Sequence, residues 1–242
     1  MIAIKIENLT KRYRDVTAVD NLSLTIQQGE LFSLLGVNGA GKTTTIKMLS
    51  CLCEPTSGEA FLLGKSIIKD SAFVKSFIAV SPQETAVAPK LTVRENLELI
   101  CGIYQFSKEK TEEKINDLTN TLSLNSVINK KAGKLSGGYA RRLSIAMALI
   151  SEPKILFLDE PTLGLDVIAR SELWDVIRSL KGKITIILTT HYMEEAEALS
   201  DRIAIMKDGI LLTCDTPEAI MTQTGEDSIE KAFISIVKGA NK

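Results

Sequence analysis

This sequence predicts an α/β fold with a mainly parallel core sheet, an antiparallel β part and an inserted α-helical lobe. Three observations carry that reading. Residues 2–7 and 22–27 alternate apolar and polar side chains, the pattern of strands with one buried face that pair antiparallel. The runs ILFL at 155–158 and ITIIL at 184–188 lack that alternation; strands buried on both faces belong to a parallel sheet covered by helices. Between residues 93 and 150 the apolar spacing turns helical and no strand signal interrupts it.

Taken in order, LFSLLG at 31–36 reads as a strand that runs through a glycine-rich segment into TTTIKMLSCL, whose spacing is helical. Further strands are expected at 59–63, 77–80, 154–158, 184–189 and 202–206. The helical lobe comprises TVRENLELICGIYQF, KEKTEEKINDLTNTLSL and the stretch after Gly138. A closing amphipathic segment over 227–237 sets Ile229, Phe233 and Ile236 on one face. The expected organisation is a single domain: a core over 1–90 and 152–215, a helical part over about 91–151, and a C-terminal helical extension over about 216–242.

Composition narrows the function classes. At 242 residues, with 45% apolar and 24% charged residues, the chain is long enough for a sizeable core and ordinary for a folded domain. A net charge of -1 and a pI near 6.0 give no long-range attraction to polyanions, so no nucleic-acid partner is expected. Cys51, Cys53, Cys101 and Cys214 fit neither a zinc framework nor a disulfide ladder and read as reduced thiols. The opening MIAIKIENLTKRYR meets charge by Lys5 and Glu7, which leaves no room for the apolar core of a secretion signal. No run reaches the eighteen or so apolar residues of a membrane-spanning helix, so direct membrane insertion is not expected.

Chemistry concentrates first in GVNGAGKTT, residues 36–44, which fits the P-loop spacing of a glycine, four residues, then Gly, Lys and Ser or Thr. Gly36, Gly39 and Gly41 let the backbone fold back between Asn38 and Ala40 with its N–H groups inward, and the following helix start adds a positive dipole end. That is a cradle for a polyphosphate. Lys42 would reach the outer phosphates, the Thr43 hydroxyl would ligate Mg²⁺, and Thr44 would contact an inner phosphate. ILFLDEPT, 155–162, then places Asp159 and Glu160 where an apolar strand leaves the core, the edge at which open α/β sheets bind ligands. Asp159 would hold the Mg²⁺ shell and Glu160 would polarise the water that attacks the γ-phosphate; alone, the pair could equally be a solvated strand end.

LSGGYARRLSIAMALI, 135–150, narrows P-loop logic to one family. LSGG resembles the signature of the ABC (ATP-binding cassette) transporters, in which a glycine turn opens a helix and offers N–H groups and a serine hydroxyl to a phosphate. By itself such a string is a common helix cap. A second anion site beside an existing cradle makes sense if Ser136, Gly137 and Gly138 serve the nucleotide of another copy, in a head-to-tail dimer with ATP between the subunits.

The resemblance implies further roles. Tyr13 sits where such cassettes stack an aromatic ring on adenine, with a buried strand residue as the lesser alternative. Gln83, in VSPQE, occupies the Q-loop, which touches the γ-phosphate and metal region and links core to helical lobe. LGLD, 163–166, resembles the D-loop and contributes Asp166; the sole histidine, His191, takes the switch position. Tyr139 stands where glutamine is commonest and Val167 where proline is frequent, and activity is expected to survive both. THYMEEAEALSDRIAIMKDGIL with DSIEKAFISIVKG resembles the ATPase subunits of drug-resistance, sodium-extrusion and lipid exporters. That likeness implies a separate transmembrane permease, an ATP-sandwich homodimer and a location on the cytoplasmic face of the cell membrane. It also implies a groove near Gln83 for a helix of the permease, with residues 84–95 as its surface and Leu91 as an anchor.

Overall fold

A computed structural model of the chain describes residues 1–239; residues 240–242, the end of the expected C-terminal extension, lie outside the described residues. The opening hairpin pairs β1 (Ile2–Tyr13) with β2 (Val16–Gln27), and β4 (Ser57–Leu62) and β5 (Lys65–Ser66) complete a four-stranded antiparallel sheet of order β2-β1-β4-β5. The first two strands extend past 7 and begin before 22. Register shifts along the pair, with Asn8 and Asn21 at φ 49 and 51, interrupt the two-residue period that marks a strand in sequence.

The second sheet is six-stranded, of order β10-β9-β3-β8-β7-β6, from β3 (Leu31–Leu35), β6 (Ile78–Ser81), β7 (Ile155–Asp159), β8 (Thr185–Thr190), β9 (Arg202–Lys207) and β10 (Ile210–Asp215). All pairings are parallel except the β9–β10 hairpin. Every residue of β3, β7 and β8 is buried, as apolar runs without alternation require. Because β8 inserts between β3 and β7, strands distant in sequence end side by side on one edge.

The expected strand over 77–80 begins one residue later, since Phe77 closes a short helix, α2 (Ser71–Phe77), that the sequence reading does not contain. Seven residues are too few to display a 3.6-residue period. β10 is likewise absent from the strands expected above, although Asp208-Gly209, at φ 48 and 81, is the turn chemistry of a tight hairpin.

α1 (Lys42–Leu49) follows the P-loop, and between β6 and β7 come α3 (Val93–Ile103), α4 (Lys108–Thr121) and α5 (Gly137–Leu149). Thr92 and Glu95 form a reciprocal capping box on α3, and Ser107 and Ser136 cap the next two. Val93, Leu97, Ile115, Leu143 and Ile145 bury against Leu156, Leu158, Ile186 and Leu188 in one continuous cluster, so α5 rests directly on the sheet. α6 (Val167–Leu180) and α7 (Met193–Leu199) cover the same side. α8 (Pro217–Thr224) and α9 (Ile229–Gly239) close a third cluster with Leu35 and Ile205, in which Ile229 and Phe233 are buried and Ile236 is half-buried. The four cysteines are free thiols.

Candidate active site

β3 delivers the chain into the loop 36–41, and α1 begins at Lys42. Gly39 and Gly41 hold φ 86 and 100, which side chains resist. Gly36 needs no unusual dihedral; it needs room, because a Cβ there would lie 2.5 Å from the Met206 carbonyl oxygen and 2.8 Å from Ala40 Cβ. The Lys42 side chain is only 5% exposed and folds back over the loop: Nζ donates to the carbonyls of Gly36 at 2.8 Å and Val37 at 3.3 Å. It also lies 3.3 Å from Glu160 Oε1.

The acidic pair meets this loop from β7. Asp159 Oδ1 accepts from the Thr43 hydroxyl at 3.2 Å and from the Thr189 hydroxyl of β8 at 2.5 Å. Glu160 sits at φ 50, left-handed backbone that costs a non-glycine residue about 1–2 kcal/mol. The strand end holds it there, its N–H donating to the Thr189 carbonyl and hydroxyl, both at 3.1 Å. Strain of this kind persists where surrounding structure over-determines it. The result aims the Glu160 carboxylate across the edge, with His191 Nδ1 2.5 Å from Oε2 and Lys42 on Oε1.

These groups line a cleft of about 620 Å³. Of the residues expected to act, Asn38, Gly39, Ala40, Gly41, Lys42, Thr43, Thr44, Gln83, Glu160 and His191 border it, and Asp159 lies beneath Thr43. Tyr13 does not border it; Val16, Thr17 and Ala18 of β2 do, while Tyr13 is 46% exposed with its hydroxyl 3.8 Å from Cys53 Sγ. Ser136, Gly137 and Gly138 also lie outside the lining. There Ser136 caps α5, and the two glycines let it approach α6 and the turn before it, where added Cβ atoms would come 3.1 Å from Leu165 Cδ2 of that turn and 3.1 Å from Ala169 Cβ of the helix. Asp166 caps α6, accepting from the Ala169 N–H at 2.9 Å.

Three supporting residues escape sequence reasoning. Thr189 donates to the Asp159 carboxylate and accepts from the Glu160 backbone N–H. Arg141, 5% exposed on α5, donates to the carbonyls of Pro82 and Gln83, each at 2.6 Å, and so ties the Gln83 loop to the helix that starts at Ser136. Burial pulls its pKa below the ordinary guanidinium value, against the opposing pull of Asp159 and Glu195. Glu195 of α7 is fully buried, and burial raises its pKa, helped by Glu160 and opposed by Thr190, Thr162 and Trp174. Trp174 Nε1 donates to its Oε1 at 3.1 Å, while among the described residues Oε2 and the Thr162 hydroxyl have no hydrogen bond within ordinary limits. Charged residues in a helix usually face solvent, so sequence offers no sign that these two turn inward.

Comparison with known proteins agrees with this geometry. The family profile described as ABC transporter matches residues 19–163. The chain is 37% identical over 245 aligned positions to the probable multidrug ABC transporter ATP-binding protein YbhF of Escherichia coli (strain K12), across 99% of this chain and 42% of YbhF. It thus spans about two fifths of that relative's length. It is 41% identical over 230 positions to the Nod factor export ATP-binding protein I of Burkholderia lata, across 94% of this chain and 75% of that protein. Among solved structures, the dimeric post-hydrolysis state of the ATP-binding cassette MJ0796 bound to ADP and Pi superposes with a TM-score of 0.78 at 28% identity, covering 88% of this chain and 98% of that one. A P-loop facing an acidic strand end and a histidine, a capped LSGG turn on an inserted helical lobe, and a profile match over more than half the chain lead to one conclusion: this chain belongs to the ABC transporter family, in its ATP-binding cassette part.

Proposed function

We propose that the chain binds ATP with Mg²⁺ and hydrolyses it as one of two identical cassettes that drive a separate transmembrane permease, and that the transport is export. One observation carries this reading: the cleft gathers the phosphate cradle, Glu160 and His191, whereas the second anion-binding turn, 136–138, lies outside it. A turn that cannot serve its own cleft is suited to the cleft of a facing copy. The dimeric form of the MJ0796 cassette and the export name of the Burkholderia lata relative support the same reading.

Within the cleft the loop N–H groups and Lys42 neutralise phosphate charge, with Asn38, Gly39, Ala40, Gly41 and Thr44 against the inner phosphates. The Thr43 hydroxyl and Asp159 carboxylate, 3.2 Å apart, are hard oxygen donors of the kind Mg²⁺ takes, with Gln83 across the cleft as a third. Bound there, the ion would offset charge on the β- and γ-phosphates. Glu160 orients and deprotonates the attacking water, and His191 holds the Glu160 carboxylate. The adenine end falls at the tip of the β1–β2 hairpin, with Val16 in the lining and Tyr13 beside it. From the facing copy come Ser136, Gly137, Gly138 and Asp166.

The division into a core over 1–90 and 152–215, a helical part over 91–151 and a C-terminal extension over 216–242 belongs to the same proposal. A groove between β6 and the helical part, bordered by Val80, Pro82, Ala86, Ile103, Tyr104 and Met147, suits an apolar helix of the permease. Ile103 and Tyr104 are 67% and 51% exposed there. Of the stretch 84–95 only Ala86 reaches it; Leu91 is half-buried, its carbonyl accepting from the Ala132 N–H at 2.8 Å. Among the described residues no helix is long and apolar enough to cross a membrane, in keeping with attachment to the cytoplasmic face through the permease.

Glu160→Gln tests the reading. The variant is expected to bind ATP, lose about 10²–10⁴-fold in steady-state hydrolysis, and accumulate as an ATP-dependent dimer in light scattering. Normal hydrolysis without added dimerisation would refute it.

A further inference from the structure

His191 is held from two sides. Glu160 takes Nδ1, while the ring's face rests on the next residue: the centroids of His191 and Tyr192 lie 4.2 Å apart at an interplanar angle of 38°. Tyr192 is itself covered by Arg170 of α6, whose guanidinium carbon lies 4.7 Å from the phenol centroid. The only ion pair of Arg170 among the described residues is a long one, 3.8 Å to the mostly exposed Glu194, and its buried Nε has no hydrogen-bond partner. The aromatic face is thus the main partner of this cation. The Tyr192 hydroxyl makes no hydrogen bond among the described residues, so what the side chain contributes is its ring. Its backbone is fixed by donation to the Thr190 hydroxyl at 2.9 Å.

These contacts form an unbroken series: Arg170, Tyr192, His191, Glu160, Lys42. The first member lies one turn into the helix that Asp166 caps, and the last lies on the phosphate loop. A histidine at the end of a strand can rotate about two side-chain torsions, and only part of that range brings Nδ1 to Glu160. Stacking on a ring that is itself clamped by a cation removes the alternatives.

We propose that Tyr192, clamped by Arg170, is a positioning residue that sets the ring of His191 toward Glu160 and so links the start of α6 to the hydrolytic carboxylate. This rests on the reading of Glu160 and His191 as hydrolytic groups. Neither Tyr192 nor Arg170 borders the cleft, so their loss should act on turnover and leave nucleotide binding intact.

The experiment measures steady-state ATPase activity, with kcat and KM resolved, and melting temperature for the full chain as wild type, Tyr192→Leu, Tyr192→Phe and Arg170→Met, beside Glu160→Gln. Leucine keeps apolar bulk without an aromatic face, so folding is preserved. Tyr192→Leu is expected to lower kcat about three- to tenfold with KM for ATP within about twofold of wild type. Tyr192→Phe should restore most of the rate, and Arg170→Met should fall between them. The inference is overturned if Tyr192→Leu turns over like wild type, if it changes KM or melting temperature alone, or if phenylalanine does no better than leucine. Loss of ATPase in the wild type, or full activity in Glu160→Gln, would instead overturn the hydrolytic reading beneath it, and this inference with it.

Discussion

Gly36→Ala probes the junction at which the core sheet hands over to the phosphate loop. Gly36 has an ordinary backbone conformation, so the substitution introduces no dihedral strain; the whole effect comes from one carbon atom with nowhere to go. That carbon would lie 2.5 Å from the Met206 carbonyl oxygen of β9 and 2.8 Å from Ala40 Cβ, both below the 3.0 Å that Cβ atoms tolerate. Neither obstacle can swing aside, since one is backbone in a strand paired with β3 and the other is a methyl within the loop. The loop must therefore move by at least several tenths of an ångström. Overpacking of this kind costs about 1–3 kcal/mol, or about 2–12 °C in melting temperature for a domain of this size. The same shift carries away the Gly36 carbonyl, which holds Lys42 Nζ at 2.8 Å. Misplacing that cation by a hydrogen bond's worth should weaken ADP binding about tenfold or more. Calorimetric titration with ADP and thermal denaturation without nucleotide read the two effects separately. Gly182→Ala is the control: φ is 77 and nothing lies within 4 Å, so it should lose stability through strain alone and bind ADP normally. A Gly36→Ala protein that melts with wild type and binds ADP with wild-type affinity would refute the steric account.

Arg141→Ala leaves the carbonyls of Pro82 and Gln83 without their shared donor; a stability loss of about 2–4 kcal/mol is expected by chemical denaturation, and Arg141→Lys should recover only part because one ammonium cannot reproduce the guanidinium fork. Glu195 supplies a pH prediction. Burial raises its pKa above the ordinary 4.5, so the folded state keeps a proton that the unfolded state has released. Its contribution to stability is therefore present at acid pH and is lost as pH rises through its folded value. Glu195→Gln has no proton to lose and keeps an acceptor for Trp174 Nε1, so its melting temperature should gain on wild type between about pH 5 and about pH 8. A gap that narrows with pH would contradict this assignment.

Much of this protein is legible in local sequence because the features concerned are themselves local. A P-loop is nine consecutive residues whose glycines and helix start create the anion site with little outside help. The same holds for the Ser136 cap, the acidic pair ending an apolar run, and the buried strands at 155–158 and 184–188. Features shorter than one structural period, such as α2, or broken by bulges, such as the outer halves of β1 and β2, fall below what periodicity can reveal.

What the chain's own residue order cannot settle is which distant segments become neighbours, and there the tertiary structure decided. Strand order set β8 between β3 and β7 and so joined Lys42, Asp159, Glu160, Thr189 and His191 on one edge. It made Met206 the reason that position 36 must be glycine, put Val16 rather than Tyr13 against the cleft, and turned Arg141 and Glu195 inward. The physical reason is the range of the forces: backbone preference, capping and strand burial act within a few residues, whereas steric exclusion and desolvation depend on whatever the fold brings into contact.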